Sequence, residues 1–98
     1  MLPTLLFAQP DPHTLTIDGR DRSYLLQIPA NLPAKAPLIL VLHGYGDSAA
    51  GMWTSTRFVK MAEKEGFVVC FPQGWLGDDQ KHSWNAGYSN PEIDDVKF

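Results

Sequence analysis

The run Leu38-Ile39-Leu40-Val41-Leu42 stops abruptly at His43-Gly44-Tyr45-Gly46, and no other feature narrows so far what this chain can fold into. A short apolar run without polar alternation suits a strand buried on both faces of a parallel sheet. The two glycines let the backbone turn sharply and leave its N–H groups uncovered by Cβ atoms. Donors presented at the carboxyl end of such a strand are the usual material of an oxyanion hole. The segment therefore points to acyl transfer, and the rest of that machinery has to be sought in the same chain.

At 98 residues the chain has the length of one domain, small for an α/β enzyme. A hydrophobic content of 44% against 19% charged residues is that of a globular protein rather than a disordered one. The net charge of −3 leaves no basic patch, which argues against a nucleic-acid partner. No segment is long and apolar enough to span a membrane. Residues 1–12 read as a leader. Their apolar start, ending in a small residue near Ala8, resembles the tail of a signal peptide without its basic region; it is either a signal-peptide remnant, of a secreted or periplasmic protein, or an ordinary leader. Cys70, inside Phe67-Val68-Val69-Cys70-Phe71, reads as a small buried core residue.

From residue 13 onward the pattern is that of one folded unit. His13–Ile17 alternates polar and apolar residues as a half-solvated strand does, and Ser23–Ile28 forms its antiparallel partner across a loop that begins at Asp18-Gly19 and is extended by Arg20 and Asp21. The proline-rich stretch 29–37 is a connection. After the Leu38–Leu42 strand and a Gly/Ser/Ala loop to Gly51, a helix over Thr56–Lys64 is expected, with Phe58 and Met61 toward the core and Gly66 as a left-handed cap. Phe67–Phe71 is a second buried strand, which makes a parallel βαβ unit. Residues 72–91 read as loop, and Asp94-Asp95 as the first turn of a further helix.

Candidate chemistry is sparse. His43 can serve as a catalytic base only with a nucleophile and a carboxylate beside it, and a structural imidazole bracing the loop is the better reading. Tyr45 offers its N–H to an oxyanion, with its ring lining the pocket. Gly87-Tyr88-Ser89-Asn90-Pro91 is the nearest approach to the nucleophile signature G-x-S-x-G. It fails, because no buried strand precedes it and Pro91 replaces the last glycine. Ser48 and Ser55 read as turn or capping residues. Of Trp53, Trp75 and Trp84, Trp84 beside Asn85 is the best candidate for stacking on a sugar or aryl ring, with loop packing as the alternative. Asp78-Asp79, His13 and His82 lack metal-ligand spacing, and no cofactor is called for.

Taken together, Arg22–Pro29, Pro37–Ser48, Gly66–Gly74, Ser83–Gly87 and Asp94–Phe98 resemble, in order and spacing, the opening of the polyhydroxybutyrate depolymerase and feruloyl esterase group of α/β hydrolases, which includes acetyl xylan esterase-like members. The resemblance implies a serine carboxylic-ester hydrolase acting on polyesters or acylated plant polysaccharides. It also implies that residues 13–98 are the N-terminal part of the α/β sheet, an antiparallel hairpin followed by a parallel βαβ unit. The nucleophile elbow, acid and histidine would then follow in a parent of about 200–250 residues. Of the group's functional positions, Gly44, Tyr45 and Gly46 carry over as the oxyanion-hole loop, with His43 as its support and Trp84 as a pocket residue. On this reading the chain alone is inactive. Its Leu38–Leu42 strand is left as an open edge prone to self-association, and the isolated chain is poorly soluble or partly molten. A binding module that uses Trp75 and Trp84 as carbohydrate or polymer platforms is the alternative function.

Overall fold

A computed structural model describes residues 9–87 and 90–98. Most of the leader, residues 1–8, and the rejected nucleophile Ser89 with Tyr88 lie outside the described residues. Strands β1 (His13–Ile17), β2 (Arg20–Gln27), β3 (Leu38–Leu40) and β4 (Val68–Pro72) form one sheet in the order β1-β2-β4-β3. The first three neighbours pair antiparallel, and β3 pairs parallel to β4. Helices α1 (Ala49–Ser55) and α2 (Phe58–Glu65) fill the crossover between β3 and β4. A two-stranded ribbon, β5 (Trp75–Leu76) and β6 (His82–Ser83), follows β4. The architecture is a mixed sheet with helices, a partial α/β fold.

The β1–β2 turn is tighter than the sequence reading has it. Asp18 and Gly19 both take positive φ, 53° and 75°, and Ile17 already pairs with Arg20. A two-residue hairpin with both central residues left-handed matches strand twist, so Arg20 and Asp21 join β2 instead of extending the loop. Helix α1 is an addition to the sequence reading. Ser48 caps it, accepting the Gly51 N–H at 2.9 Å, and Gln73 Oε1 takes the Ala49 N–H at 2.7 Å. Thr56, expected to open the next helix, is extended and closes α1 through its N–H to Met52. Gly66 caps α2 at φ 81°, ψ 57°.

The core lies between the helices and one face of the sheet: Leu25, Val41, Val69 and Phe71 from the strands, Trp53, Val59 and Ala62 from the helices. The α2 face is rotated from the one expected. Val59 and Ala62 are buried and Phe58 packs at their margin, whereas Met61 is 45% exposed. A fully buried alanine lets α2 approach the sheet closely. Asp94-Asp95 begins one capped turn, as expected of a first turn: Asp94 Oδ1 accepts the Lys97 N–H at 3.2 Å, and the Phe98 N–H bonds the Asp95 carbonyl.

The second face corrects two expectations. Leu38, Leu40 and Leu42 are 60%, 60% and 57% exposed, so the apolar run is buried on one side only, through Ile39 and Val41. Side chains alternate along a strand, and helices cover only one of the two faces. The same alternation puts Cys70 on the open face, half-buried, with burial pushing its thiol pKa up, while Val69 and Phe71 occupy the core. Leu15, Leu26, Cys70 and the three leucines line a shallow apolar cavity of about 560 Å³, together with Trp84, Val96 and Phe98. It is continuous with β3, the last strand of the sheet. An apolar face beside an open edge is a sticky surface. The chain is expected to bind an apolar dye such as anilinonaphthalene sulfonate and to associate as concentration rises. Replacing Leu38, Leu40 and Leu42 with threonine should suppress both; unchanged dye binding would place the sticky surface elsewhere.

Candidate functional site

The loop after β3 is a hydrogen-bonded turn. The Asp47 N–H donates to the Gly44 carbonyl at 3.1 Å, and Gly46, third of the four turn residues, has φ 79°. Tyr45 before it keeps a negative φ, which makes this a turn of the type II class, where a residue without Cβ is favoured at the third position. Gly44 is different, since a Cβ there would meet nothing within 4 Å. Of the loop's donors, the Gly46 N–H is committed to the His82 carbonyl at 2.8 Å. Among the described residues the N–H groups of Gly44 and Tyr45 have no backbone partner.

His43 is buried beneath this loop, and each ring nitrogen is engaged. Nε2 accepts the Gly74 N–H at 2.8 Å, so it carries no proton. Nδ1 therefore holds the hydrogen and donates it to the Gly44 carbonyl at 2.7 Å. A neutral imidazole in this arrangement ties the end of β3 to the β4–β5 connection and has no free nitrogen for proton transfer. Trp84 lies over it, with ring centroids 5.1 Å apart, and donates its Nε1–H to the His43 carbonyl at 2.8 Å. The other side of Trp84 borders the apolar cavity. The structure thus brings together His43, Gly44, Tyr45, Gly46 and Trp84.

The Tyr45 ring departs from the expected position. It is 61% exposed, and its hydroxyl donates to Asp79 Oδ2, so it reaches to the β5–β6 turn and not into the cavity. That bond is the main reason the Tyr45 pKa lies above and the Asp79 pKa below the ordinary value; the Lys81 N–H assists at Asp79. The raised Tyr45 value means the tether is intact below the usual phenol pKa and lost as pH rises through the raised one. The lowered Asp79 value means it is intact above the usual carboxylate pKa and lost as pH falls through the lowered one. Asp79→Asn is expected to bring the tyrosinate absorbance of Tyr45, identified by its loss in Tyr45→Phe, to lower pH. An unmoved titration would show that the two groups do not meet in solution.

Sequence reading missed Asp95 as a hub. Its Oδ1 meets Arg22 Nη2 at 2.7 Å and its Oδ2 accepts the Asn85 N–H at 2.6 Å, which seats the segment carrying Trp84 against β2. The Phe98 ring covers the guanidinium, 4.2 Å from its carbon. Among the described residues no group of three His, Cys, Asp or Glu side chains is placed to hold a metal ion.

No family model matches the chain. Over 59 residues it is 36% identical to a bifunctional acetylxylan esterase/xylanase of Neocallimastix patriciarum, a match covering 60% of this chain and 9% of that protein. Its fold is similar to that of an acetyl xylan esterase from Aspergillus awamori, with a TM-score of 0.53 and 17% identity over 64% of this chain and 24% of the other. The chain thus spans less than a tenth of the one and about a quarter of the other. The two comparisons agree at a coarse level: in sequence and in fold, the likeness is to esterases.

Proposed function

We propose that these residues are the oxyanion-hole portion of a serine carboxylic-ester hydrolase, with the nucleophile, acid and catalytic histidine contributed by further chain. The observation that carries the reading is the Tyr45 N–H. It is unpartnered among the described residues and sits in a type II turn at the carboxyl end of β3, in a chain similar to esterases. A backbone donor held in a rigid turn stabilises a developing oxyanion without reorganising. His43 supports the loop from below. The apolar surface beside Trp84 offers room for an acyl group or aryl ring.

The substrate class that follows is an acylated plant polysaccharide, with acetylated xylan first, because both similar proteins are acetyl xylan esterases. The polyhydroxybutyrate depolymerase and feruloyl esterase group is the wider setting suggested by the motifs. On this reading the 98 residues alone leave p-nitrophenyl acetate unhydrolysed, while the reading frame extended past residue 98 encodes an apolar strand running into G-x-S-x-G and hydrolyses it. Turnover by the 98 residues that disappears in Ser89→Ala would overturn the proposal, as would an extended frame without that signature.

A further inference from the structure

Beside the helix start at Ser48, two hollows of mixed polar and apolar lining, about 400 and 140 Å³, share the residues Ser23, Gln73 and His82. They lie at the carboxyl end of β4, where β2 begins, which is where open α/β sheets gather ligands. Ser48 also lines the larger and Trp75 the smaller. The larger alone has the volume of a small-molecule site.

The three shared side chains keep unspent hydrogen-bonding capacity among the described residues. Gln73 gives its Oε1 to the Ala49 N–H and keeps its amide Nε2–H₂ without a partner. His82 Nδ1 lies 2.7 Å from the Gly74 carbonyl; a carbonyl only accepts, so Nδ1 carries a hydrogen, and Nε2 has no partner among the described residues. The Ser23 hydroxyl can both donate and accept. None of these groups is sealed from solvent; the buried side-chain donor lacking a partner is Arg22 Nε. Of the charges at the walls, Arg22 is paired with Asp95, and the exposed Asp21 accepts the Thr16 hydroxyl at 2.7 Å. Trp75 adds an indole, with the Arg20 guanidinium 5.7 Å from the ring centroid.

We propose that this groove binds a neutral oligosaccharide. Donors and acceptors in one groove match sugar hydroxyls, which both give and take hydrogen bonds. The indole matches the apolar face of a sugar ring. Two hollows that share three residues fit a chain of sugars better than a single ring. The groove is also tied to the candidate catalytic loop, because the His82 carbonyl holds the Gly46 N–H.

The test is a nuclear magnetic resonance titration of the chain with xylohexaose, followed at the Gln73 side-chain amide and the Trp75 indole N–H. Choosing a xylan fragment rests on the esterase proposal, but xylohexaose carries no ester, so binding is read without turnover and either proposal can fail alone. The expected result is saturable shifts at both signals, with affinity about tenfold weaker in Gln73→Glu and in Trp75→Ala. Gln73→Glu keeps an acceptor for the Ala49 N–H while it removes the free donor and adds a negative charge, so the helix contact is retained as recognition is tested. Trp75→Phe, which keeps an aromatic face, should restore part of what Trp75→Ala loses. Signals that stay fixed in xylohexaose overturn the proposal. So does their displacement by acetate or phosphate in place of the sugar, or binding that both variants leave unchanged.

Discussion

Asp95→Ala is expected to destabilise the chain by about 3 kcal/mol and to release the segment around Trp84 from the sheet. Arg22 is 2% exposed and its partner 17%, so their attraction is weakly screened, and the cost of losing one partner is set by the charge left behind. The stranded guanidinium would keep only the Phe98 ring for company, and its Nε already lacks a partner. The Asn85 N–H loses its acceptor in the same step. A lowered urea midpoint, with faster hydrogen exchange at Asn85 and Lys97 than at β4, is the expected signature. Arg22→Met combined with Asp95→Ala should lose less than the sum of the single changes, because the double variant buries no unpaired charge. Additive losses would show that the pair contributes nothing specific.

That pair also marks the limit of what the sequence discloses. Arg22 and Asp95 are 73 positions apart, and nothing in either neighbourhood names the other. Local chemistry was legible where it is backbone-encoded: Asp18-Gly19 as a turn, Gly66 as a helix cap, Ser48 as a capping residue, and β1, β2 and β4 from apolar alternation or runs. It was less so in α1, whose Ala-Ala-Gly-Met-Trp start reads as loop until Gln73 and Ser48 supply the first-turn acceptors. The face of α2 was misjudged because side-chain size ranked Met61 above Ala62, whereas close approach to the sheet favours the smaller residue. The apolar run at Leu38–Leu42 identified a strand but not how many of its faces are covered, which depends on what packs there. At the site, the glycine-flanked loop was visible in the sequence. The capture of the Gly46 N–H by His82, which removes one of three candidate donors, arises only from the β5–β6 fold-back.

Removing the remaining donor at Tyr45 is the sharper test of function. In the serine hydrolase proposed above, Tyr45→Pro is expected to lower kcat by about 10²–10³-fold with KM little changed. Proline is chosen because the second position of a type II turn favours its fixed φ, and the turn's own bond runs from the Asp47 N–H to the Gly44 carbonyl, which the substitution leaves in place. The change deletes one N–H and also the phenol held by Asp79, so Tyr45→Phe is the control for the second loss. If the N–H stabilises the oxyanion, Tyr45→Phe stays within a few-fold of the parent while Tyr45→Pro collapses. Equal losses in the two variants would assign the effect to the tether between Tyr45 and the β5–β6 turn. Full activity in Tyr45→Pro would move the donor to Gly44, whose N–H is the other one left uncommitted in the loop.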